Sequence, residues 1–157
     1  MKSVRQQILA MQRRWPQFEL AEATPEFALW FGSLIGLETT HRLSIAFNLP
    51  GADTDDPAST HYPIVRVLSP RLILTPNATD EAPLPHVYFD PKNITLSPLC
   101  LFDPESDEWS HNDLLAETTV PWAADWLACY EGWLATGRWY GGGRHGRRFL
   151  RDKTDEL

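Results

Sequence analysis

The sequence has little cysteine, few basic residues for its acid content and no long apolar run, and each shortage excludes something. Two cysteines in 157 residues cannot form a disulfide framework, and nothing points to export. The thiols are therefore read as reduced and the chain as cytoplasmic. No apolar run approaches the roughly 20 residues of a membrane span, and the N-terminus lacks the apolar core of a secretory signal, so no membrane role is expected. No internal repeat is visible. The 14 Lys and Arg against 21 Asp and Glu leave a formal charge of -7.

That charge is unevenly placed. Residues 1–14 carry +4, residues 138–157 carry +3, and the stretch between them carries -14. A nucleic-acid binder needs a basic face near its centre, and an acidic body argues against one. Basic ends on an acidic body suit a protein partner. Hydrophobic residues at 43% and charged residues at 22% are ordinary for a globular chain and exclude wholesale disorder. A chain of this length buries roughly 68–70% of its unfolded surface and folds without disulfides or metal. One domain over residues 1–157 is expected, with a flexible basic tail from about residue 138.

The elements follow in a clear order. Met1, Val4, Ile8, Met11 and Trp15 recur at steps of three and four, which is one apolar stripe of a helix, and Pro16 ends it. Four strands are predicted after it. The first runs from Phe18 to Ala23, and the second from Phe27 to Leu37 is apolar enough to be buried on both faces. In the third, Leu43, Ile45, Phe47 and Leu49 alternate with Ser44, Ala46 and Asn48, the pattern of a half-buried strand. The fourth, Ile64 to Leu68, is open to continuation through Leu72 to Thr75. The spacings are too short for crossover helices, so the sheet should be an antiparallel meander.

Residues 76–121 are punctuated by prolines from Pro76 to Pro121 and hold no convincing helix. An irregular segment of this length in a compact chain is usually functional. A helix is then predicted from about Pro121 to Thr136, capped by Thr118 or Thr119 and ended by Gly137. Trp122, Trp126, Cys129 and Trp133 share one of its faces. Tyr88, Trp109 and Trp139 fall outside the predicted elements, where exposed aromatics would suit a protein interface.

This order of elements, with a lone cysteine in the irregular segment, resembles that of ubiquitin-conjugating enzymes. The stretch PHVYFDPKNITLSPLCLF is similar to their active-site segment, in which a His-Pro-Asn tripeptide precedes a catalytic cysteine in an apolar-Cys-Leu context. The corresponding places fall to His86, with Val87 and Tyr88 after it, to Cys100 within Leu99-Cys100-Leu101, and to Trp109 beyond. The later stretch PWAADWLACYEGWLATGRWYGGGRHG more specifically resembles bacterial ubiquitin-conjugating-like proteins of antiphage operons of the CBASS type, encoded beside a cGAS-like nucleotidyltransferase. The resemblance implies an α+β, ubiquitin-conjugating-type fold: N-terminal helix, four-stranded antiparallel meander, long active-site flap, C-terminal helix and tail. It also implies that Cys100 accepts the C-terminus of a partner protein, the nucleotidyltransferase, as a thioester.

The candidate residues can be weighed without any family. Cys129 lies on the tryptophan face of a helix, where a buried cysteine acts as a small hydrophobe. Leu99-Cys100-Leu101 on its own reads as strand core. The flap around it and the resemblance favour a nucleophile, which must ionise close to Asp103 and Glu105. His86 has three readings: a structural residue holding the flap, which we favour, a general base near Cys100, or a zinc ligand. The zinc reading fails on spacing, because His86, Cys100, His111 and His145 lack any short paired arrangement. No cofactor is expected either. Gly141-Gly142-Gly143 lacks the Gly-Lys-Ser/Thr ending of a phosphate loop. The glycosylation patterns at Asn77 and Asn93 have no meaning in a cytoplasmic chain. The final Thr-Asp-Glu-Leu lacks the lysine of a retention signal.

The sequence thus leads to cysteine-dependent protein conjugation, with Cys100 and His86 as the site residues. The alternative is a non-catalytic adaptor of the same fold that binds its partner without covalent chemistry. The chain is too short to hold an adenylating domain as well, so it is expected to receive an already activated C-terminus or to acquire the partner by some other route. A cysteine hydrolase is a weak third class, because no Cys-His-Asn or Cys-His-Asp arrangement is evident.

Overall fold

The computed structural model describes residues 1–51, 62–74 and 84–140. It is an α+β structure with two helices and one four-stranded antiparallel sheet. Helix α1, Val4–Arg14, starts where Ser3 accepts from the N–H of Gln6 while the Gln6 side chain returns a bond to Ser3 N–H. This reciprocal cap satisfies two otherwise unpaired donors. Val4 and Met11 are buried and Ile8 packs at the edge of the core, as the stripe predicts, but Met1 is exposed.

The stripe also missed Gln7, which is wholly buried. Its amide donates to Asp113 O at 2.9 Å and accepts from Leu115 N–H at 2.9 Å. With the Trp15 indole on Ala116 O at 2.8 Å, these bonds fasten α1 to the segment after the flap. A buried amide is tolerated in an apolar core only when both its ends are paired in this way.

Strands β1 (Glu19–Ala23), β2 (Phe27–Ile35), β3 (Thr40–Asn48) and β4 (Ile64–Ser69) lie in sequence order as an antiparallel meander. The expected double burial of β2 is corrected. Its residues alternate between buried and half-exposed, with Ala28, Trp30 and Leu34 inward, because only one face of the sheet is covered by the helices and the flap. The continuation of β4 is also corrected: Leu72 is buried, yet residues 71–74 form no strand. Thr75 lies outside the described residues.

Helix α2 (Thr119–Thr136) begins two residues before Pro121. Thr118 stands at the cap position but makes no capping bond, its hydroxyl donating to Leu114 O at 2.9 Å instead. Gly137 ends the helix at φ 75°, a left-handed conformation open to glycine without penalty from a Cβ. Trp126, Leu127 and Tyr130 face the core. Cys129 is only half-buried, not the buried residue expected of the tryptophan face.

A second tie runs from α2 back to the sheet. The Glu131 carboxylate accepts from the N–H groups of Leu37, Glu38 and Thr39 at 2.6, 3.1 and 2.9 Å, closing the β2–β3 turn. A Cβ on Gly36 would collide with that carboxylate. His41 is buried beside it, with Nε2 3.6 Å from Glu131 Oε2.

Candidate functional site

Within the irregular segment, expected as a flap, residues 86–100 form a closed hairpin laid along β4. Val87 and Leu99 form an antiparallel bridge. Tyr88 N–H donates to Pro98 O at 2.8 Å and Cys100 N–H to His86 O at 3.0 Å. The hairpin's tip is a 3₁₀ turn, Ile94–Leu96. Buried Ser97 ties the tip down: its hydroxyl donates to Ile94 O at 2.7 Å and accepts from Asp90 N–H at 3.1 Å. Two bonds dock the flap on the sheet, Leu99 N–H to Val65 O at 2.9 Å and Arg66 Nε to Leu96 O at 3.1 Å. The outer edge of β4 thus positions the stretch that carries the cysteine.

Cys100 sits half-buried between Leu99 and Leu101, both of which are buried. Its Sγ lies 3.6 Å from Phe102 O. The Tyr88 hydroxyl, 3.4 Å from the same carbonyl, also hydrogen-bonds the thiol. Burial pushes the Cys100 thiol up, and Asp103 and Glu108 push it in the same direction, while the Tyr88 hydrogen bond favours the thiolate and pulls it back. The net shift is upward. Tyr88 is itself held well above the ordinary phenol range, first by burial and then by the neighbouring Cys100. Its hydroxyl therefore stays protonated, and so remains a donor.

His86 joins Cys100 through the main chain, and its imidazole packs against Trp139 with ring centroids 4.7 Å apart. His86 adopts φ 53°, a left-handed conformation uncommon for a residue with a side chain. The strain sits where the flap turns, and the His86 carbonyl accepts a second bond from Trp126 Nε1 at 2.8 Å. His111 lies apart, with Nε2 3.3 Å from Asn48 O, and His145 is outside the described residues. Among the described residues, no three His, Cys, Asp or Glu side chains gather as a metal site. No helix of the described residues is long and apolar enough to cross a membrane.

Two of the aromatics expected at an interface are placed elsewhere. Trp109 is buried, stacked at 6.0 Å on Phe102. Trp139 is half-buried and packs on the chain's own Trp126 at 5.3 Å as well as on His86, because Gly137 turns the chain at the end of α2. The expected tail therefore starts with a docked segment, and residues 141–157 fall outside the described ones. Tyr88 remains 45% exposed, with Phe89 exposed beside it. What the sequence missed is its hydroxyl at the thiol. The available signal was its place in the tripeptide, two residues after His86, where a polar side chain faces the cysteine.

Cys129 offers a different environment. Its thiol donates to Tyr140 O at 2.8 Å, which ties the helix to the segment that follows it. An apolar cavity of about 340 Å³, lined by Tyr88, Leu99, Leu101 and Phe102 among others, opens between the flap and the start of β4.

Comparison with known protein families places these features in context. A family model described as Type II CBASS E2 protein matches residues 7–146. No curated protein sequence matches the chain.

Proposed function

Because the chain belongs to the Type II CBASS E2 family, an E2-like family of antiphage defence, we propose that residues 1–157 form one ubiquitin-conjugating-type domain whose Cys100 carries a partner's C-terminus as a thioester. The observation that carries this reading is the pairing of Cys100 with Tyr88. A half-exposed thiol in a flap pinned by backbone bonds has a neutral hydroxyl beside it, which by turning from Phe102 O to the sulfur stabilises a thiolate or the oxyanion that forms on acyl transfer. The thiolate attacks the carbonyl of an already activated C-terminus, the C–S bond forms, and the activating group leaves. An amine later attacks the thioester, forming an amide and releasing the thiol. The partner is a cGAS-like nucleotidyltransferase. His86 acts as a positioning residue, its carbonyl fixing the Cys100 amide.

The test is intact-mass spectrometry of the protein with that nucleotidyltransferase and an activating enzyme. An adduct of partner mass less one water, released by hydroxylamine and absent in Cys100→Ala but present in Cys129→Ser, is the expected result. An adduct that survives Cys100→Ala would refute the assignment.

A second reading, a non-catalytic adaptor, is favoured by the upward shift of the Cys100 thiol, which leaves little thiolate at neutral pH. It predicts a stable complex with the same partner and no covalent adduct.

A further inference from the structure

The apolar cavity is walled by Tyr62, Ile64, Tyr88, Leu99, Leu101 and Phe102, with three prolines completing its lining. Two features connect it to the thiol. Tyr88 both lines the cavity and hydrogen-bonds the thiol. Phe102, another wall residue, supplies the carbonyl on which Tyr88 and Cys100 converge. The hydroxyl of Tyr62 is committed to Pro104 O at 3.3 Å, and that of Tyr88 is shared between Phe102 O and the thiol, so the walls offer an occupant almost entirely apolar surface. A space of this size accepts one large side chain and rejects a charged one, which would lose its hydration without a partner.

We infer that this cavity receives a bulky apolar side chain from the tail of the acyl donor, third from its C-terminus, and so selects which protein ends are loaded on Cys100. The inference rests on the carrier reading above. An extended tail whose last carbonyl is at the thiol advances about 7 Å over two residues, and Tyr88, which acts on the thiol and also lines the cavity, bridges the two. Charge adds a second criterion. Asp103 and Glu108 lie close enough to act on the thiol, so they disfavour a tail with acidic residues near its end. The donor class is therefore a protein C-terminus with a large apolar residue at the third-last place and no acid beside it.

The probes are acetylated tetrapeptide thioesters of a small alkyl thiol, all ending in glycine and carrying phenylalanine, alanine or aspartate third from the end. In the transfer, the Cys100 thiolate attacks the peptide carbonyl, the new C–S bond forms as the old one breaks, and the alkyl thiol leaves with the proton. These probes carry their own activation, so no further enzyme is needed. The full chain is expected to load the phenylalanine probe at least about fivefold faster than the alanine probe, and the aspartate probe slowest. Pro104→Trp, which sets an indole at the exposed rim of the cavity, is expected to bring the first two rates together. Equal rates for phenylalanine and alanine on the unsubstituted chain, or a full preference persisting in Pro104→Trp, would overturn the inference and leave Cys100 a carrier. Failure of every probe to load Cys100, at a pH where iodoacetamide alkylates it, would overturn the carrier reading and the inference with it.

Discussion

Trp126 donates its indole N–H to the main-chain carbonyl of His86 at 2.8 Å, and that same carbonyl accepts the N–H of Cys100 at 3.0 Å. One oxygen thus couples helix α2 to both sides of the flap. The backbone around Cys100 is set by a residue in the middle of a long helix, which is among the more rigid places a short chain can offer. This arrangement explains why His86 tolerates its left-handed φ: two bonds hold the peptide unit that the conformation creates.

His86→Gly and His86→Val should therefore differ. Both lose the contact with Trp139, but glycine accepts the left-handed backbone and valine does not. The valine variant should be less stable than the glycine variant by about 1–3 kcal/mol, measured by denaturant unfolding. Equal stability would show that the imidazole, not the backbone, is what matters at this position.

Alkylation of Cys100 by iodoacetamide should rise steeply with pH and reach its midpoint above the ordinary thiol value of about 8.5, because burial and the Asp103 and Glu108 charges disfavour the thiolate. Glu108→Gln removes one of those charges and should move the midpoint down. Tyr88→Phe removes the donor that favours the thiolate and should move it up. Peptide-level mass spectrometry of the Cys100 site separates these curves from reaction at Cys129.

Trp139→Ala should lower the melting temperature by about 2–8 °C, the equivalent of about 1–2 kcal/mol for a chain of this size. The indole packs on Trp126 and His86, so its loss should also speed amide exchange across residues 86–100. An unchanged melting temperature would return Trp139 to the role of an interface residue.

Glu131→Gln should destabilise the fold by about 1–2 kcal/mol near pH 7, because an amide oxygen replaces a carboxylate that accepts three backbone N–H bonds. Burial pushes the Glu131 carboxyl up, but bonds from Glu38, Leu37 and Thr39 outweigh it and hold the group below its usual range. A carboxyl lowered in the folded state stabilises fully above its unfolded value of about 4.3 and loses that contribution as pH falls through the folded value. The gap between the two proteins should therefore close below about pH 4, which urea titrations across the acid range would measure.

The sheet and both helices were legible because their apolar residues repeat at the periods of strands and helices, as in the alternation from Leu43 to Leu49 and the steps from Val4 to Met11. The flap was legible only as an irregular segment. Its hairpin is closed by main-chain bonds between residues 86–88 and 98–100, and main-chain pairing leaves no mark on residue type. Contacts across long sequence gaps were hidden for a related reason. Nothing local to Glu131 reveals that it caps a turn more than ninety residues earlier, and nothing local to Gln7 reveals its partners at Asp113 and Leu115. Trp109 misled because loops were equated with exposure, whereas this loop buries its indole among Tyr62, Phe102 and His111. At the proposed site, the tripeptide pattern singles out Cys100 and His86 as candidates, and Tyr88 was noticed for its ring while its hydroxyl went unread.

The two borders of the sheet are finished differently. The β4 border is occupied by the flap, whereas every residue of β1 is exposed and its outer backbone is unpaired among the described residues. Such a border invites a strand from another molecule and, with it, fibre-like association. Two devices in β1 oppose this. The pairing register slips between Leu20 and Glu22, which bends the strand away from a flat template. Glu19 and Glu22 would also face each other if two copies met antiparallel along this edge, where like charges repel. The first strand therefore ends the sheet within the molecule and guards the chain against joining its own copies.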